Sequence, residues 1–164
     1  MVGVQGIAFK RTANIAAVII LWLLLPSILL AWTGEVVGIA DGDTITVLKG
    51  KTTVKIRLYG IDCPEKSQAF GTRAKQFTSK MVFRKLVQIR PVDQDRYGRT
   101  VAWVEVDGKN LCEELVRNGL AWHYKRYSSD TNLAKLELQA KKGRAGLWSD
   151  PKAMAPWDYR RSKR

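Results

Sequence analysis

Four carboxylates stand in two short segments of a chain in which basic residues outnumber acidic ones, 28 to 15. Asp41 and Asp43 flank a glycine, and Asp62 and Glu65 bracket a Cys-Pro pair. Clusters of carboxylate oxygens suit a hard cation such as Ca²⁺ or Mg²⁺. The single histidine, His123, and two widely separated cysteines lack the spacing of a zinc site. The residue types therefore favour a hard-cation site.

Two arginines accompany these carboxylates. Arg57 lies shortly before the second acidic pair, and Arg99 closes a turn of sequence Asp-Arg-Tyr-Gly-Arg that is rich in groups able to hold phosphate. A guanidinium binds two oxygens at once in a way that lysine cannot reproduce. The alternative for Asp41-Gly42-Asp43 alone is a simple hairpin turn, because Asp-Gly is a strong hairpin signal.

The elements that must position these residues can be predicted from periodicity and turn signals. Alternation of apolar and polar residues predicts strands, and apolar residues three and four apart predict helices. The predicted strands are 35–39, 44–48, 53–60, 86–90 and 100–106, and the predicted helices are 70–81, 111–118 and 130–142. This order indicates the α+β class, a mainly β fold with a five-stranded Greek-key barrel of the OB type and about three helices.

Composition narrows the class of protein and of partner. The chain has 164 residues, 46% of them hydrophobic, and a net charge of +13. Such a chain forms one compact domain with a real core, which excludes a disordered basic tail, a collagenous chain and a disulfide-dense miniprotein. The excess positive charge favours polyanionic partners, either nucleic acid or an anionic membrane surface.

The N-terminal region predicts export. An apolar run over residues 15–32 follows Lys10 and Arg11, as in a signal peptide cleaved between Ala31 and Trp32. Its 18 residues could also span a bilayer as a retained anchor, despite Pro26. We therefore expect a signal or anchor (1–32), a main domain (33–148) and a loosely ordered, basic tail with two prolines (149–164). The protein would be periplasmic or secreted, with a membrane as partner only if residues 15–32 are retained.

An oxidising compartment would permit a disulfide between Cys63 and Cys112. Two free or buried thiols are the alternative, since the sequence alone cannot pair them.

Four segments together carry a specific resemblance. In order and spacing they are similar to the staphylococcal (micrococcal) nuclease family, and the likeness covers roughly residues 34–148. The segments are Ile39–Thr44, Arg57–Glu65, Asp95–Arg99 and Leu115–Ala121. The resemblance implies a Ca²⁺-dependent endonuclease that cleaves DNA or RNA and leaves 3′-phosphate ends. We expect it to act as a monomer.

The resemblance also implies a role for each matching residue. Asp43 and Asp62 would be Ca²⁺ ligands, with the backbone carbonyl of Cys63 as a third, and Asp41 would lie behind them. Glu65 would orient or deprotonate the attacking water. The remaining matches are a phosphate-gripping pair and two tyrosines that line the nucleotide pocket: Arg57 and Arg99, and Tyr97 and Tyr127.

Two other classes of function compete with this hypothesis. A non-catalytic OB module that only binds nucleic acid would share the barrel, the basic surface and the tyrosines. It would not need the acidic residues and both arginines together. A membrane-anchored interaction protein would explain the leader and none of the other residues.

Overall fold

The structure is a computed structural model that describes residues 30–163. Its strands are β1 (Trp32–Ile39), β2 (Thr44–Lys49), β3 (Thr52–Leu58), β4 (Ile61–Asp62), β5 (Leu86–Gln94), β6 (Thr100–Val106), β7 (Lys109–Asn110) and β8 (Trp122–His123). Its helices are α1 (Gly71–Val82), α2 (Leu111–Arg117), α3 (Thr131–Lys142), a 3₁₀ helix (Gly146–Ser149) and α4 (Pro156–Ser162).

The five long strands form a closed barrel. The strands pair in the order β3-β2-β1-β5-β6, and a parallel pairing of β3 with β6 closes the sheet on itself. At this seam Ile56 pairs with Thr100 and Arg57 with Val101. The predicted five-stranded OB-type barrel of the α+β class is thereby confirmed, and Arg57 lies on the closing strand.

The barrel interior is filled by the apolar residues that alternate along each strand. Val36, Ile45, Ile56, Ile89 and Val104 have no solvent-exposed surface. Burying side chains of this size contributes about 1.5–3 kcal/mol each. This rigid core fixes the strand ends from which the candidate site residues emerge.

Helices α1, α2 and α3 begin within one residue of where the sequence predicts. The Asn110 side chain caps α2 by accepting from the backbone N–H groups of Cys112 and Glu113. Asp130 caps α3 by accepting from the N–H of Leu133. Such caps satisfy backbone donors that a helix start leaves unpaired.

Two segments differ from the sequence prediction. Strand β5 continues past Arg90 through Pro91 to Gln94, because a bulge between Pro91 and Asp93 accommodates the residue that cannot donate a hydrogen bond. The tail that we expected to be loosely ordered instead contains helix α4, whose Trp157 ring stacks on Tyr124. The described residues thus contain four α-helices rather than about three.

The predicted signal or anchor lies almost wholly outside the described residues. Trp32, at its predicted end, is already the first residue of β1. Within residues 30–163, no helix combines the length and the apolar character that crossing a bilayer requires.

Candidate active site

The two acidic segments meet because a turn and a short strand bring them together. The turn 41–43 leads into β2. The Thr78 hydroxyl of α1 stabilises this turn by donating to the Gly42 carbonyl over 2.6 Å. A side chain at Gly42 would press within 2.8 Å of the Cys63 sulfur, so glycine permits this close approach. Strand β4 carries Asp62 and pairs with β8.

Arg57 joins the two predicted metal-ligand aspartates. Its Nη1 lies 2.9 Å from Asp43 Oδ2, and its Nη2 lies 2.8 Å from Asp62 Oδ1. The side chain of Arg57 is only 14% exposed, and those of Asp43 and Asp62 are 8% and 3% exposed. The Cys63 backbone N–H also donates to Asp43 Oδ2 over 2.6 Å. The guanidinium is therefore a buried bridge between carboxylates.

A residue that the sequence reasoning missed continues this arrangement. Arg160, on α4, places Nη2 2.8 Å from Asp62 Oδ2 and Nη1 2.6 Å from Glu65 Oε1. The result is a chain of alternating charges in the order Asp43, Arg57, Asp62, Arg160, Glu65. We call these five residues the charge array.

Arg99 lies at the edge of the charge array. Its Nε is 2.7 Å from Asp95 Oδ2, and Asp95 also accepts from the Arg99 backbone N–H. Its Nη1 reaches the Thr44 hydroxyl at 3.4 Å, and that hydroxyl donates to Asp43 Oδ1. Burial opposes ionisation of Asp95, but the hydrogen bonds from Arg99 outweigh it and lower the pKa of that carboxyl. Arg99 is thus oriented by a charged partner on its own turn.

Negative charge exceeds positive charge at this site. Burial and the neighbouring Asp43 charge raise the pKa of Asp41 to about 6. Burial likewise raises the pKa of Asp62, although Arg160 and Arg57 act against it. Burial would lower the pKa of the Arg57 guanidinium, but Asp43 and Asp62 raise it. The guanidiniums therefore do not fully offset the burial and the mutual repulsion of these carboxylates.

This donor set fits a hard divalent cation in its chemistry. Three carboxylates of the charge array share two guanidiniums, and the Asp41 carboxyl lies beside them, so negative charge remains that a divalent cation would neutralise, and all the donors are oxygens. Among residues 30–163, however, no group of three acidic, histidine or cysteine side chains is already arranged to hold a metal ion. In this structure, carboxylate oxygens of the charge array that could bind a cation are paired with the guanidiniums of Arg57 and Arg160.

Of the two alternatives for the cysteines, a disulfide or two thiols, the structure has two thiols. Cys63 and Cys112 are both free and buried. The Cys63 sulfur packs against Gly42, whereas the Cys112 thiol lies on α2 beside the backbone of Val104 and Tyr59. Burial raises the pKa of Cys112 to about 12 and that of Cys63 well above its ordinary value. Both thiols are packing groups in separate surroundings.

The two predicted nucleotide-binding tyrosines lie in different places. Tyr97 is 69% exposed, and its ring lies under the guanidiniums of Arg96 and Arg99. Tyr127 is 64% exposed and packs edge-on against Tyr124 at 4.8 Å. Tyr97 is therefore in contact with Arg99, while Tyr127 contacts Tyr124, the ring on which Trp157 of α4 stacks.

The single histidine lies beneath the site. His123 pairs with Ile61 across the β4–β8 ladder, and its backbone N–H donates to the buried carboxylate of Glu137. Within residues 30–163, neither ring nitrogen of His123 has a hydrogen-bond partner. Burial lowers its pKa, which keeps the ring neutral. His123 supports β4 and contributes no ligand.

Comparisons with known proteins agree with this geometry. A family model described as a staphylococcal nuclease homologue matches residues 55–150. The chain is 40% identical to a micrococcal nuclease of Shigella flexneri over 171 residues, which cover 96% of each protein. It is 46% identical to Protein ParB of Escherichia coli over 145 residues, or 80% of this chain and 82% of that protein. It is 42% identical to an uncharacterized endonuclease of Haemophilus influenzae over 133 residues, or 80% of this chain and 75% of that protein. The family match ends before Arg160.

Proposed function

Because the chain belongs to the staphylococcal nuclease family, as its motifs predict, we propose that it is a Ca²⁺-dependent endonuclease that hydrolyses phosphodiester bonds of DNA or RNA. The observation that carries this proposal is the buried Arg57 bridge between Asp43 and Asp62. A module that only binds nucleic acid gains nothing from two buried aspartates held on one guanidinium. Their desolvation is costly, so a structural role alone is a weak reason for them.

Asp43 and Asp62 would hold the cation, and the Cys63 carbonyl would complete the protein ligands. When bound, the cation supplies positive charge to the phosphate oxygens. Arg57 already sits between the two aspartates and would donate N–H groups to the phosphate. Arg99 contributes Nη2, which makes no hydrogen bond within the described residues. Two guanidiniums so placed stabilise the negative charge that develops as water attacks phosphorus.

Glu65 would act on the attacking water. Its Oε1 accepts from Arg160, while Oε2 has no partner among residues 30–163 and can accept a proton. The Glu65 backbone N–H donates to the Gln68 side chain over 3.2 Å, which fixes the start of this segment. A positioned general base typically contributes about 10²–10⁴-fold in rate.

The finer features of the proposal concern product, binding and location. Cleavage would leave 3′-phosphate ends, and exposed Tyr97 and Tyr127 would stack on nucleotide bases. We propose a monomer that is exported to the periplasm or beyond, directed by the apolar run 15–32. Sequencing the N-terminus of the exported protein tests export, and phosphatase treatment of end-labelled products tests the position of the phosphate.

The proposed activity is tested by incubating the purified protein with plasmid DNA or with structured RNA. Each reaction is run once with millimolar Ca²⁺ and once with excess chelator. We expect Ca²⁺-dependent cleavage that Glu65→Gln slows by about 10²–10³-fold. Glu35→Gln is the matched control, because Glu35 forms only an exposed ion pair with Arg84. Binding of nucleic acid without cleavage, or full cleavage in chelator, would contradict the proposal.

A further inference from the structure

Helix α4 is docked by contacts that do not depend on Arg160. The Trp157 ring stacks on Tyr124 with centroids 4.9 Å apart and planes 6° apart, and it meets Trp122 edge-on at 5.7 Å. The Tyr159 hydroxyl lies 3.0 Å from the Ser67 hydroxyl. These contacts tie the helix both to the β8 region and to the segment that follows Glu65.

One further hydrogen bond connects the docked segment to the base itself. The Gln68 side chain donates to the Met154 carbonyl over 2.5 Å while accepting from the Glu65 backbone N–H. The chain before α4 is therefore held to the same residue that positions the Glu65 backbone. Arg160 reaches the charge array from a helix that is anchored on two sides.

The Arg160 guanidinium uses both of its Nη groups on carboxylates of the array. Its Nη1 pairs with Glu65 and its Nη2 with Asp62, whereas Arg57 pairs with the other oxygen of Asp62. Both oxygens of Asp62 are consequently paired with guanidiniums. Any cation that takes Asp62 as a ligand must share or displace one of them.

Of the two, Arg160 is the one that can leave. Its side chain is 41% exposed, compared with 14% for Arg57, which lies within the barrel seam. Arg160 also sits near the end of a seven-residue helix, so a small rotation of one flexible side chain releases Asp62. Displacement of Arg57 would instead leave a guanidinium buried without a partner, which is costly.

We propose that Arg160 sets the cation affinity of the active site by competing with the divalent cation for Asp62 and Glu65. This inference rests on the proposed function, since it takes Asp62 as a cation ligand. Helix α4 is then part of the site, because it holds the Arg160 guanidinium against two carboxylates. The cation takes the place of that guanidinium when it binds.

The competition has a reciprocal consequence. If Arg160 weakens cation binding by some factor, the bound cation weakens the contacts of Arg160 with Asp62 and Glu65 by the same factor. Helix α4 then loses one of the contacts that dock it. Loss of the Arg160 charge should tighten Ca²⁺ binding about tenfold, which corresponds to ~1.4 kcal/mol. Saturating Ca²⁺ should correspondingly speed amide hydrogen exchange of residues 157–162 in the unmodified protein.

The experiment measures Ca²⁺ affinity by titration calorimetry without nucleic acid, in the full protein and in Arg160→Gln. Arg161→Gln is the matched control, because it removes the same charge from the same helix but pairs only with Asp158. We expect about tenfold tighter binding in Arg160→Gln and unchanged binding in Arg161→Gln. Trp157→Ala, which undocks the helix by another route, should also tighten binding.

Hydrogen exchange of α4 gives the second readout. We expect Ca²⁺ to accelerate exchange in the unmodified protein and to leave it unchanged in Arg160→Gln. Equal Ca²⁺ affinities in Arg160→Gln and Arg161→Gln, weaker binding in Arg160→Gln, or Ca²⁺-induced protection of α4 would each overturn the role of Arg160. Failure of the proposed function would show differently, as no cleavage of nucleic acid by any of these proteins at any Ca²⁺ concentration.

Discussion

Replacing Asp41 with asparagine tests how much the close approach of the Asp41 and Asp43 carboxylates lowers the free energy of unfolding. Asp41 is half-buried, and burial together with the Asp43 charge raises the pKa of Asp41 from 3.8 to about 6. A carboxyl whose pKa is raised in the folded state is easier to protonate there than in the unfolded chain. Asp41 therefore costs the folded protein no stability below pH 3.8, an increasing amount between pH 3.8 and about 6, and a constant amount above that.

The size of this loss follows from the same values. A rise from 3.8 to about 6 corresponds to about 3 kcal/mol at pH 7, at 1.36 kcal/mol for each pH unit. Solvent contact at this half-buried side chain screens part of it, which leaves about 1–2 kcal/mol. Asp41→Asn removes the charge and keeps the oxygen that accepts from the Asp43 backbone N–H.

The assay is urea unfolding without divalent cations at several pH values from 4 to 8. We expect Asp41→Asn to be about 1–2 kcal/mol more stable than the unmodified protein at pH 7, with the difference shrinking towards zero at pH 4. Asp107→Asn is the control, since Asp107 precedes a glycine in the same way but is 71% exposed in its ion pair with Lys85. A gain independent of pH, or a loss of stability at pH 7, would refute this account of the turn.

Three other predictions concern the arginines, one glycine and salt. Arg57→Lys and Arg99→Lys should each lower the cleavage rate by about 10²–10³-fold. Arg57→Lys should also lower the unfolding free energy by about 1–3 kcal/mol, because lysine cannot bridge two buried aspartates. Normal turnover in either variant would contradict its role. Gly71→Ala should lower the unfolding free energy by more than about 2 kcal/mol, since a Cβ there would overlap the Glu65 carbonyl oxygen. Gly143→Ala should not, since a Cβ there would come no closer than 3.4 Å to its nearest neighbour, an ordinary contact. Affinity of Glu65→Gln for single-stranded DNA, followed by fluorescence anisotropy, should fall about tenfold from 50 to 200 mM salt, and a flat profile would argue against phosphate contacts.

The barrel was predictable because its signals are local. β2 and β3 alternate apolar and polar residues over six and seven positions, and the α1 residues predicted to share a face do pack on the core, from buried Ala74 to partly buried Phe77 and Met81. Asp43, Asp62 and Arg57 could be placed near one another because a meander brings consecutive strand ends together. The two-residue pairing of β4 with β8 was not predictable, since so short a run has no periodicity.

Arg160 was missed for a different reason. It stands in a run of basic residues after two prolines, a composition typical of a mobile tail. The signal that could have revealed it is the pair Trp157 and Tyr159, because large aromatic residues in an exposed tail need a surface to cover them. The free state of Cys63 and Cys112 was equally beyond the sequence, since both residues are buried against neighbours that are distant along the chain.

The buried position of His123 has a practical consequence for spectroscopy. The chain contains one histidine, and it pairs with Ile61, the residue before Asp62 on β4. In a proton NMR spectrum its ring therefore gives a single C2–H resonance with no assignment problem. The ring belongs to a residue paired with the neighbour of Asp62, and burial lowers the pKa of the ring. The molecule thus carries an intrinsic reporter, through which cation or nucleotide arrival at Asp62 can be followed without a label.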